Sequence, residues 1–593
     1  MLPVSTELAI LFIVLAVVLV LFVIGRWRYD IIALSGLLAL TVTGIIPLDQ
    51  VFLGFVHPAV VTVAAVLIIC CGLNNSGVVD IIVREMSRVG DNTLIQLLAL
   101  TGLVIVLSAF MNNIGALALL IPVTIRMARR SDKSPSLLLM PLAFCSILGG
   151  LITMIGTPSN IIIATFRAQN GQEPFLMFDF LPVGLGVAVA GMLFMSLVGW
   201  RLIPQREGAA DADLSLVDDY ITEVHIPEES KMVGKRIYDL ESASEADIAV
   251  VALLRKDERF NTPHSLRSLK AGDHLIVRGE TEDLKILVEA TELELAETKR
   301  SKEDILQTDD VTIIEVVIAT NSIMDGKSAR RLNLHGRYGV NLLAVSRQGR
   351  RLRAQIGDIR LRIGDVLLLQ APTAELNETL SVLGCLPLIE REMRFEKPHR
   401  TLPTIGIFTA ALLASAVGLL PVQIAFVMAA LAIVVVGVVP PDEAYKAIDW
   451  QVIVLLGAMI PVGHALETTG GSQLIATMLV QIGGAGSPFF VLTMLLVIAV
   501  LLSCIVHNAG IAILLAPIGM NIALQLSVSM DPFLMAVAVG SASGFLTPIG
   551  HPSELLVMGP GGYMFGDYFR VGFLLEIIVI ILTIMLIPLF WPF

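Results

Sequence analysis

The chain has 593 residues, of which 55% are apolar and only 16% are charged. Soluble domains carry about a quarter charged residues, so the composition excludes an ordinary soluble protein and indicates one that spans a membrane. The charge concentrates between residues 201 and 400, and we interpret this block as soluble. The net charge of −12 therefore says little about the partners of the apolar segments, and no nucleic-acid partner is expected.

The apolar segments of the first part predict membrane spans, because about 20 apolar residues cross the hydrocarbon core. They lie at 9–25, 31–46, 57–74, 137–166 and 180–200. The first segment has no basic residues before it and no clear cleavage site after it, so we expect a retained span. The stretch 94–126 carries Asn112 and Asn113 at its middle. Two amides are costly in lipid, so we predict a re-entrant hairpin with its tip at Asn113, where irregular backbone can line a cavity.

The last part of the chain repeats this pattern. Spans are predicted at 402–420, 423–439, 452–466, 532–556 and 571–590, with a hairpin at 487–525. The motifs that recur, at offsets of 393 to 395 residues, are Gly44-Ile45-Ile46-Pro47 as Gly437-Val438-Val439-Pro440, Asn112-Asn113 as His507-Asn508, and Gly156-Thr157-Pro158-Ser159-Asn160 as Gly550-His551-Pro552-Ser553-Glu554. A near-constant offset over separate motifs indicates duplicated halves, a design that recurs in secondary transporters.

The basic residues of the loops predict the topology. Five spans and a non-crossing hairpin place one set of loops on the same side, with Arg26, Arg28, Arg84, Arg88, Arg126, Arg129, Arg130, Lys133 and Arg201. By the positive-inside rule this side is the cytoplasm. Because five is an odd number, we expect the second half to be inverted relative to the first. Both termini then lie outside a multi-pass cell (inner) membrane, and the central block lies in the cytoplasm.

The central block contains a second repeat. The motifs Glu223, Gly234-Lys235, Leu240 and Gly272-Asp273 recur as Glu315, Gly326-Lys327, Leu332 and Gly364-Asp365, at an offset of about 92 residues. Alternating apolar residues and Gly-Asp turns predict strands at 220–226, 248–254 and 274–278, and again at 312–318, 340–345 and 366–369. We therefore predict an α-helical integral membrane protein, an inverted repeat of five spans plus one re-entrant hairpin per half, with a cytoplasmic insert of two α+β lobes. Its domain boundaries are 1–200, 201–300, 301–398 and 399–593.

The hairpin tips and the Gly-Thr-Pro turn are the motifs that can carry chemistry. Asn113 and Asn508 fall at equivalent points, and an amide offers an acceptor to a cation and donors to an anion. The turn at 156–158 interrupts a span, because proline removes a donor and glycine frees the backbone. Such a break exposes carbonyls that bind Na⁺ and a helix N-terminus that attracts anions. His507, His551 and Glu554 are ionisable at this depth and are therefore functional candidates, although His551 and Glu554 can also pair with each other.

These residues resemble the divalent anion/sodium symporter family, whose two hairpins are tipped by Ser-Asn-Thr and followed by broken helices. The tips here keep the central asparagine and lack the flanking hydroxyls, and Glu554 stands where an asparagine is common. The segments Pro560-Gly561-Gly562-Tyr563 and Asp567-Tyr568 look like the sulfate-permease branch, which also carries a tandem insert. The insert resembles the C-terminal lobe of domains that regulate potassium conductance, which dimerise and can bind small ligands.

The resemblance implies a sodium-coupled secondary active transporter of a small anion, with sulfate as the leading substrate, alternating access, a homodimeric scaffold and no cofactor besides the coupling ion. The implied anion ligands are Asn112, Asn113, Thr157, Ser159, Asn160, His507, Asn508, His551 and Ser553. The implied Na⁺ sites lie around Asn113 and Asn508, with Ser108, Gly156, Ser503 and Gly550. His551 and Glu554 are candidates for proton or ion coupling.

Other functions stay open at this point. A dicarboxylate symporter fits the same architecture. A proton-coupled exporter of the arsenite or silicate type would use His507, His551 and Glu554 as proton carriers. A potassium channel would need a Thr-Val-Gly-Tyr-Gly-like filter, which the sequence lacks. No nucleophile–base constellation or nucleotide-binding loop predicts an enzyme.

Overall fold

The computed structural model describes residues 5–24, 27–76, 90, 92–131, 133–169, 171–205, 221–241, 249–255, 258–261, 267–278, 291, 293–295, 311–319, 322–347, 350–352, 356–372, 376–388, 401–483 and 487–593. Three arginines used for the predicted topology, Arg26, Arg84 and Arg88, lie outside these residues, as do the first residues of two predicted strands, 220 and 248.

The first part of the chain is helical. Its helices are α1 (Thr6–Ile24), α2 (Tyr29–Val42), α3 (Pro58–Asn75), α4 (Thr93–Phe110), α5 (Asn113–Arg130), α6 (Ser136–Gly149), α7 (Pro158–Gln169) and α8 (Leu181–Leu202, with a π-helical turn at Met195–Gly199). The stretch predicted as a hairpin is two helices that meet at Met111 and Asn112, and the segment 137–166 is interrupted between α6 and α7.

Two five-stranded antiparallel sheets follow. The strands of the first are β1 (Ile221–His225), β2 (Ala249–Arg255), β3 (Glu258–Asn261), β4 (His274–Arg278) and β5 (Glu294–Leu295), and those of the second are β6 (Val311–Ile318), β7 (Asn341–Arg347), β8 (Arg350–Arg351), β9 (Val366–Pro372) and β10 (Cys385–Pro387). Short helices accompany them: α9 (Ile237–Glu241), α10 (Ala329–Leu332), α11 (Leu334–Tyr338) and α12 (Leu376–Leu383). The strand orders, β3-β2-β4-β1-β5 and β8-β7-β9-β6-β10, are the same. We call the two units lobe 1 (221–295) and lobe 2 (311–388).

Each lobe holds its Gly-Asp turn in the same way. Arg255 binds Asp273 with 2.6 Å between nitrogen and oxygen, and Arg347 binds Asp365 at 2.7 Å. Both aspartates are about 1% exposed. The glycine before each has a left-handed backbone, which only glycine adopts without strain, with φ of +84° in lobe 1 and +81° in lobe 2. The turn geometry therefore repeats with the sequence.

The last part of the chain is helical again. Its helices are α13 (Thr401–Ala416), α14 (Val422–Val435), α15 (Pro441–Ala447), α16 (Trp450–Thr468), α17 (Gly471–Gly483), α18 (Pro488–Ser503), α19 (Asn508–Leu526), α20 (Asp531–Ser541), α21 (Pro552–Met558) and α22 (Phe565–Phe590). The predicted spans did not include α15 and α17. The segment predicted as a span at 532–556 is broken between α20 and α21.

One recurring motif has a local structural role. Gly44 and Gly437 end α2 and α14 with φ of +80° and +76°. The next amide of each motif, of Ile45 or Val438, donates to a carbonyl five residues earlier, in a Schellman-like helix end. The proline that follows cannot continue the helix. These motifs therefore stop helices and do not contribute to the site.

Helices from the two parts pack in matching pairs. The pairs within each part are α4 with α6 and α18 with α20, and the pairs across the parts are α2 with α16 and α14 with α3. In each part, the helix after the break also packs on the second hairpin arm of the other part. Helix α7 packs on α19, and α21 packs on α5. This exchange places the helix after each break against the hairpin of the opposite part.

Several described helices could cross a membrane. Seven are long and apolar enough by length and composition: α1, α3, α4, α8, α16, α19 and α22. Shorter apolar helices of 10–17 residues accompany them, and include α2, α13 and α14. At about 1.5 Å per residue, the 18 residues of α4 extend about 27 Å, close to the thickness of the hydrocarbon core.

Candidate functional site

The first hairpin tip is fixed by hydroxyl groups of its own half. The side chain of Asn113 is 4% exposed, and Ser108 Oγ lies 2.6 Å from its Oδ1. Ser146 Oγ donates to the backbone carbonyl of Asn113 at 2.9 Å. Gly150 lies against the same amide, since a Cβ there would come within 2.6 Å of Asn113 Oδ1. The tip asparagine is therefore held in one orientation by α4 and α6.

Each tip asparagine contacts the broken helix of the opposite half. Asn113 Nδ2 lies 3.3 Å from His551 Nε2, and Asn508 Nδ2 donates to Thr157 Oγ1 at 3.3 Å. Both relations are equivalent in sequence, because Asn113 and Asn508 are 395 residues apart and Thr157 and His551 are 394 apart. We call these the crossed contacts. They bring both tips and both breaks to one point.

The two breaks are secured by matching threonines. Thr153 Oγ donates to the carbonyl of Ala109, and Thr547 Oγ donates to the carbonyl of Cys504. Since Ala109 and Cys504 end the first arm of each hairpin, these bonds tie each break to its own hairpin. Sequence reasoning did not select these threonines, although their offset of 394 residues is a signal that could have found them.

The glycines predicted at the cation sites lie in crowded backbone. A Cβ on Gly156 would stand 2.5 Å from the carbonyl oxygen of Gly150, and one on Gly550 would stand 2.8 Å from the carbonyl oxygens of Gly544 and Ser503. Any larger residue would force these backbones apart. The glycines thus leave carbonyl oxygens close to the hairpin tips, and oxygens are the ligands that hard cations take.

The first turns of α7 and α21 bury oxygens that have no hydrogen-bond partner within the described part of the chain. These atoms are Ser159 Oγ and Asn160 Oδ1 in the first half, and Ser553 Oγ with both carboxylate oxygens of Glu554 in the second. Buried polar atoms are usually paired. Asn160 donates through its amide to the carbonyl of Thr153 at 2.9 Å, which aims its oxygen away from that bond. Equivalent positions in both halves therefore offer acceptors for a ligand.

The remaining predicted residues act as helix caps. Asn112 Oδ1 accepts from the Ile114 amide at 3.2 Å, and His507 Nδ1 accepts from the Ala509 amide at 3.4 Å. His507 also stacks on Tyr29 with 5.0 Å between ring centroids. Ser503 Oγ donates to a carbonyl of its own helix at 2.8 Å, although its backbone oxygen lies at Gly550. These side chains start or end the hairpin arms at the site.

His551 makes one hydrogen bond and one polar contact at the site. Its Nδ1 accepts from the Ser553 amide at 3.1 Å, which caps α21, while Nε2 faces the Asn113 side-chain nitrogen. In a neutral ring the proton then lies on Nε2, so two donors face each other there and a ligand acceptor is needed between them. The expected pairing of His551 and Glu554 is present only through the backbone, since the Glu554 amide donates to the His551 carbonyl at 3.0 Å.

Lobe 2 lies directly on the site region. Arg129 at the end of α5 binds Glu315 of β6 at 3.4 Å. Gly364 touches the end of α21, because a Cβ on Gly559 would stand 1.6 Å from the Gly364 carbonyl oxygen. Burial raises the pKa of the Glu315 carboxyl, and the charge of Arg129 opposes that rise. Lobe 2 therefore contacts both a hairpin arm and the helix that carries His551 and Glu554.

The sheet of lobe 2 uses both faces. Ile314, Val316 and Ile318 pack in the lobe's own core, whereas Val317 and Val366 belong to the core of the helical region. The corresponding positions of lobe 1, 92 residues earlier, are His225 and His274, whose rings lie 4.8 Å apart. The apolar face of lobe 2 therefore suits burial against helices, whereas the corresponding histidine-bearing face of lobe 1 does not.

The apolar helices fit a multi-pass membrane protein, and the similar proteins identify its class as a membrane transporter and not an enzyme. The model of the citrate transporter family (CitMHS) matches residues 19–500 and 482–593, and the chain belongs to this family.

Two relatives that match nearly the whole chain are named as transporters. It is 30% identical over 590 residues to the uncharacterized transporter sll0640 of Synechocystis sp., across 98% of this chain and 96% of the relative. It is 31% identical over 603 residues to the uncharacterized transporter YfbS of Escherichia coli, across 98% of both. Sodium/sulfate cotransporter 1 of Chlamydomonas reinhardtii is 27% identical over 287 residues, 45% of this chain and 32% of the relative.

Proposed function

We propose that the protein is a sodium-coupled secondary active transporter of a small anion, with sulfate as its substrate. The crossed contacts carry this proposal, because they gather two amide tips and two broken helices at one buried point. Discontinuous helices of this kind form the ion and substrate sites of secondary transporters. Likeness to sodium/sulfate cotransporters supports the choice of ions.

Sodium would bind at two equivalent places. One is the Asn113 tip with Ser108 and the backbone at Gly156, and the other is the Asn508 tip with the backbone at Ser503 and Gly550. The anion would lie between them, near Thr157, Ser159, Asn160, His551 and Ser553. None of the side chains named at these three places carries a permanent positive charge, so bound Na⁺ would supply the charge that a dianion needs. This physical dependence is the basis we propose for coupling.

The hairpins and broken helices would move as one body against the outer helices. Several bonds hold that body together, including the ion pair of Arg167 on α7 with Asp531 on α20 at 2.8 Å. We propose that the second half is inverted, with lobes in the cytoplasm, termini outside and a homodimeric scaffold. Contact of lobe 2 with both the basic end of α5 and the end of α21 supports this orientation.

Lobe 2 would regulate transport. It contacts α21, which belongs to the moving body. When α21 moves, lobe 2 must therefore either move with it or lose the contact. We propose that the docked lobe restrains movement and that a small ligand on the lobes sets the docked fraction. The result expected on releasing the contact is faster uptake.

A second candidate function is proton-coupled transport, which the buried carboxylate of Glu554 favours. Its side chain is fully buried and its oxygens have no partner among the described residues. A dicarboxylate or citrate substrate is compatible with either coupling ion and with the family's description.

The test is uptake of radiolabelled sulfate by the purified protein in liposomes, with and without an inward Na⁺ gradient. Asn113→Ala and Asn508→Ala should lower Na⁺-driven uptake about tenfold or more, since losing a hydrogen bond to a charged group costs about 1.5–3 kcal/mol. Asn521→Ala is the matched control. That residue lies on α19 and bonds Pro517 and Ser472, away from the tips.

The outcomes separate the candidates. Na⁺-dependent sulfate uptake that only the tip variants lose supports the proposal. Folded protein that takes up no sulfate under either condition contradicts the substrate, and citrate and dicarboxylates are then tested in the same vesicles. Uptake driven by pH and indifferent to Na⁺ supports the second candidate.

A further inference from the structure

A groove of about 470 Å³ lies between the helices α3, α14 and α16 and the short helix α15. Its volume falls in the range of about 300–1,000 Å³ that is usual for sites burying small ligands. Its lining is almost entirely apolar, and includes Val60, Ala64, Ile68, Ala430, Leu431 and Ile448. The groove therefore suits a hydrocarbon occupant better than an ion or a polar solute.

The equivalent place in the first half is filled by protein. An offset of 393 residues relates Gly457 to Ala64 and Phe55 to Ile448. A Cβ on Gly457 would stand 2.5 Å from the Phe55 ring, and one on Gly54 would stand 2.1 Å from the Gly457 carbonyl oxygen. The short 3₁₀ turn that carries Phe55 therefore packs directly on α16.

The residues of the second half do not allow the same packing. Ala447 and Ala64 replace the two glycines, and their Cβ atoms prevent so close an approach of the backbones. Ile448 stands at the position of the phenylalanine, and Ala430 stands at that of Leu37, which is fully buried. The side chains here are thus smaller while the segments stand further apart. Because protein interiors leave few voids larger than a water molecule, a groove of this size calls for an occupant.

The groove opens onto the surface that faces the bilayer. Val61 and Leu431, in its walls on α3 and α14, are exposed, and α3 is one of the helices long and apolar enough to cross a membrane. Tyr445 and Trp450 also line the groove and are exposed, where α15 leads into α16. Since tyrosine and tryptophan are enriched at membrane–water interfaces, this end of the groove lies at the level of the lipid headgroups.

The charges beside this end favour one kind of headgroup. Helix α15 exposes Asp442 and Glu443 together with Lys446. Glu443 also accepts a hydrogen bond from Asn75 at 2.8 Å, which holds its carboxylate beside α3. Two acids against one base repel an anionic headgroup and attract an ammonium group.

We propose that the groove binds one acyl chain of a phospholipid whose headgroup carries an ammonium group, as phosphatidylethanolamine does. The chain takes the space that Phe55 and Leu37 occupy in the first half, and the headgroup lies near Tyr445 beside the acids of α15. The competing apolar occupant is a second copy of this protein. The groove is lined by helices outside the crossed contacts, so the lipid site does not rest on the proposed function.

The test is photo-cross-linking of the full-length protein in liposomes that contain phosphatidylethanolamine with a diazirine on its acyl chain. Peptide mapping of the wild-type protein should place cross-links on the groove residues of α3 and α14. Unlabelled phosphatidylethanolamine should reduce these cross-links more than the same amount of phosphatidylglycerol. This competition is measured on the wild type and does not depend on the folding of a variant.

A variant with the residues of the first half fills the groove. Ala430→Leu combined with Ile448→Phe should lose the cross-links on α3 and α14. Leu413→Phe is the matched control, because it adds an aromatic ring at an exposed position of α13 outside the groove, and it should keep them.

Two results would overturn the lipid site. One is cross-links spread evenly over exposed helices such as α22 and unchanged in the filled variant, which would show ordinary surrounding lipid. The other is cross-linking of the groove only after dissociation into monomers, which would show that a second copy covers it. Stronger competition by phosphatidylglycerol would overturn the choice of headgroup. Absence of sulfate uptake would count against the proposed function and would leave the cross-linking result valid.

Discussion

Substitution of Gly364 tests whether lobe 2 holds the site region. Gly364 and Gly272 are equivalent residues of the two lobes, with φ of +81° and +84°. An alanine at either place has the same backbone strain, about 1–2 kcal/mol. At Gly364 the new Cβ would also stand 2.6 Å from the Leu555 carbonyl oxygen, whereas at Gly272 no heavy atom of the described residues would lie within 4 Å of it. Comparing the two alanine variants therefore distinguishes an effect on the contact with α21 from an effect on the turn itself.

The size of the effect follows from these distances. Reaching 3.0 Å, below which real contacts essentially never fall, requires lobe 2 and α21 to separate by at least 0.4 Å (3.0 − 2.6). Overpacking of this kind costs about 1–3 kcal/mol. If that cost falls on docking, opening of the contact rises about 5- to 150-fold. Gly272→Ala should leave docking unchanged.

The assay is hydrogen–deuterium exchange of residues 552–559, read by mass spectrometry in nanodiscs, with uptake measured in parallel. Gly364→Ala should speed exchange in this segment and raise uptake, while Gly272→Ala should lower the stability of lobe 1 and change neither. Gly559→Ala should act like Gly364→Ala, because its Cβ would meet the same interface from the other side. Equal exchange in the Gly364 and Gly272 variants would refute the reasoning.

Three further outcomes are expected. Because burial raises the pKa of Glu315, docking takes up a proton, so exchange at 552–559, after division by the base-catalysed intrinsic rate, should increase as pH rises; Glu315→Gln should abolish that increase, and an unchanged increase would contradict the reasoning. Arg167→Gln removes the charged partner of Asp531 where both side chains are mostly buried. It should lower the free energy of unfolding by about 1–3 kcal/mol, and Asp531→Asn should restore part of that loss. Thr153→Val removes the hydroxyl that ties the first break to its hairpin and should lower uptake more than it lowers stability, which Thr153→Ser should rescue.

Local structure followed from local chemistry. The interruption before Pro158 was predicted from its Gly-Thr-Pro motif. The helix ends at Gly44 and Gly437 and the caps at Asn112 and His507 were not predicted, although they too depend on residues within a few positions. The constant offsets of 393 to 395 and about 92 residues predicted which segments would resemble each other. Family membership is confirmed by the match to the citrate transporter model. The inverted topology, the cytoplasmic position of the lobes and the site roles stay predictions.

The partners of the site residues came only from the tertiary structure. The motifs selected Asn113 and Asn508, but the crossed contacts join residues 438 and 351 positions apart, and an offset gives no distance in space. Glu576 carries no local motif, and only packing of α22 beside the second break shows that its oxygen is buried unpaired. The approach of Gly364 to Gly559 is likewise a contact between units. The sequence determined the helices and strands because backbone conformation depends on residues close in the chain. The tertiary structure decided the site because burial and electrostatic environment depend on every residue packed around it.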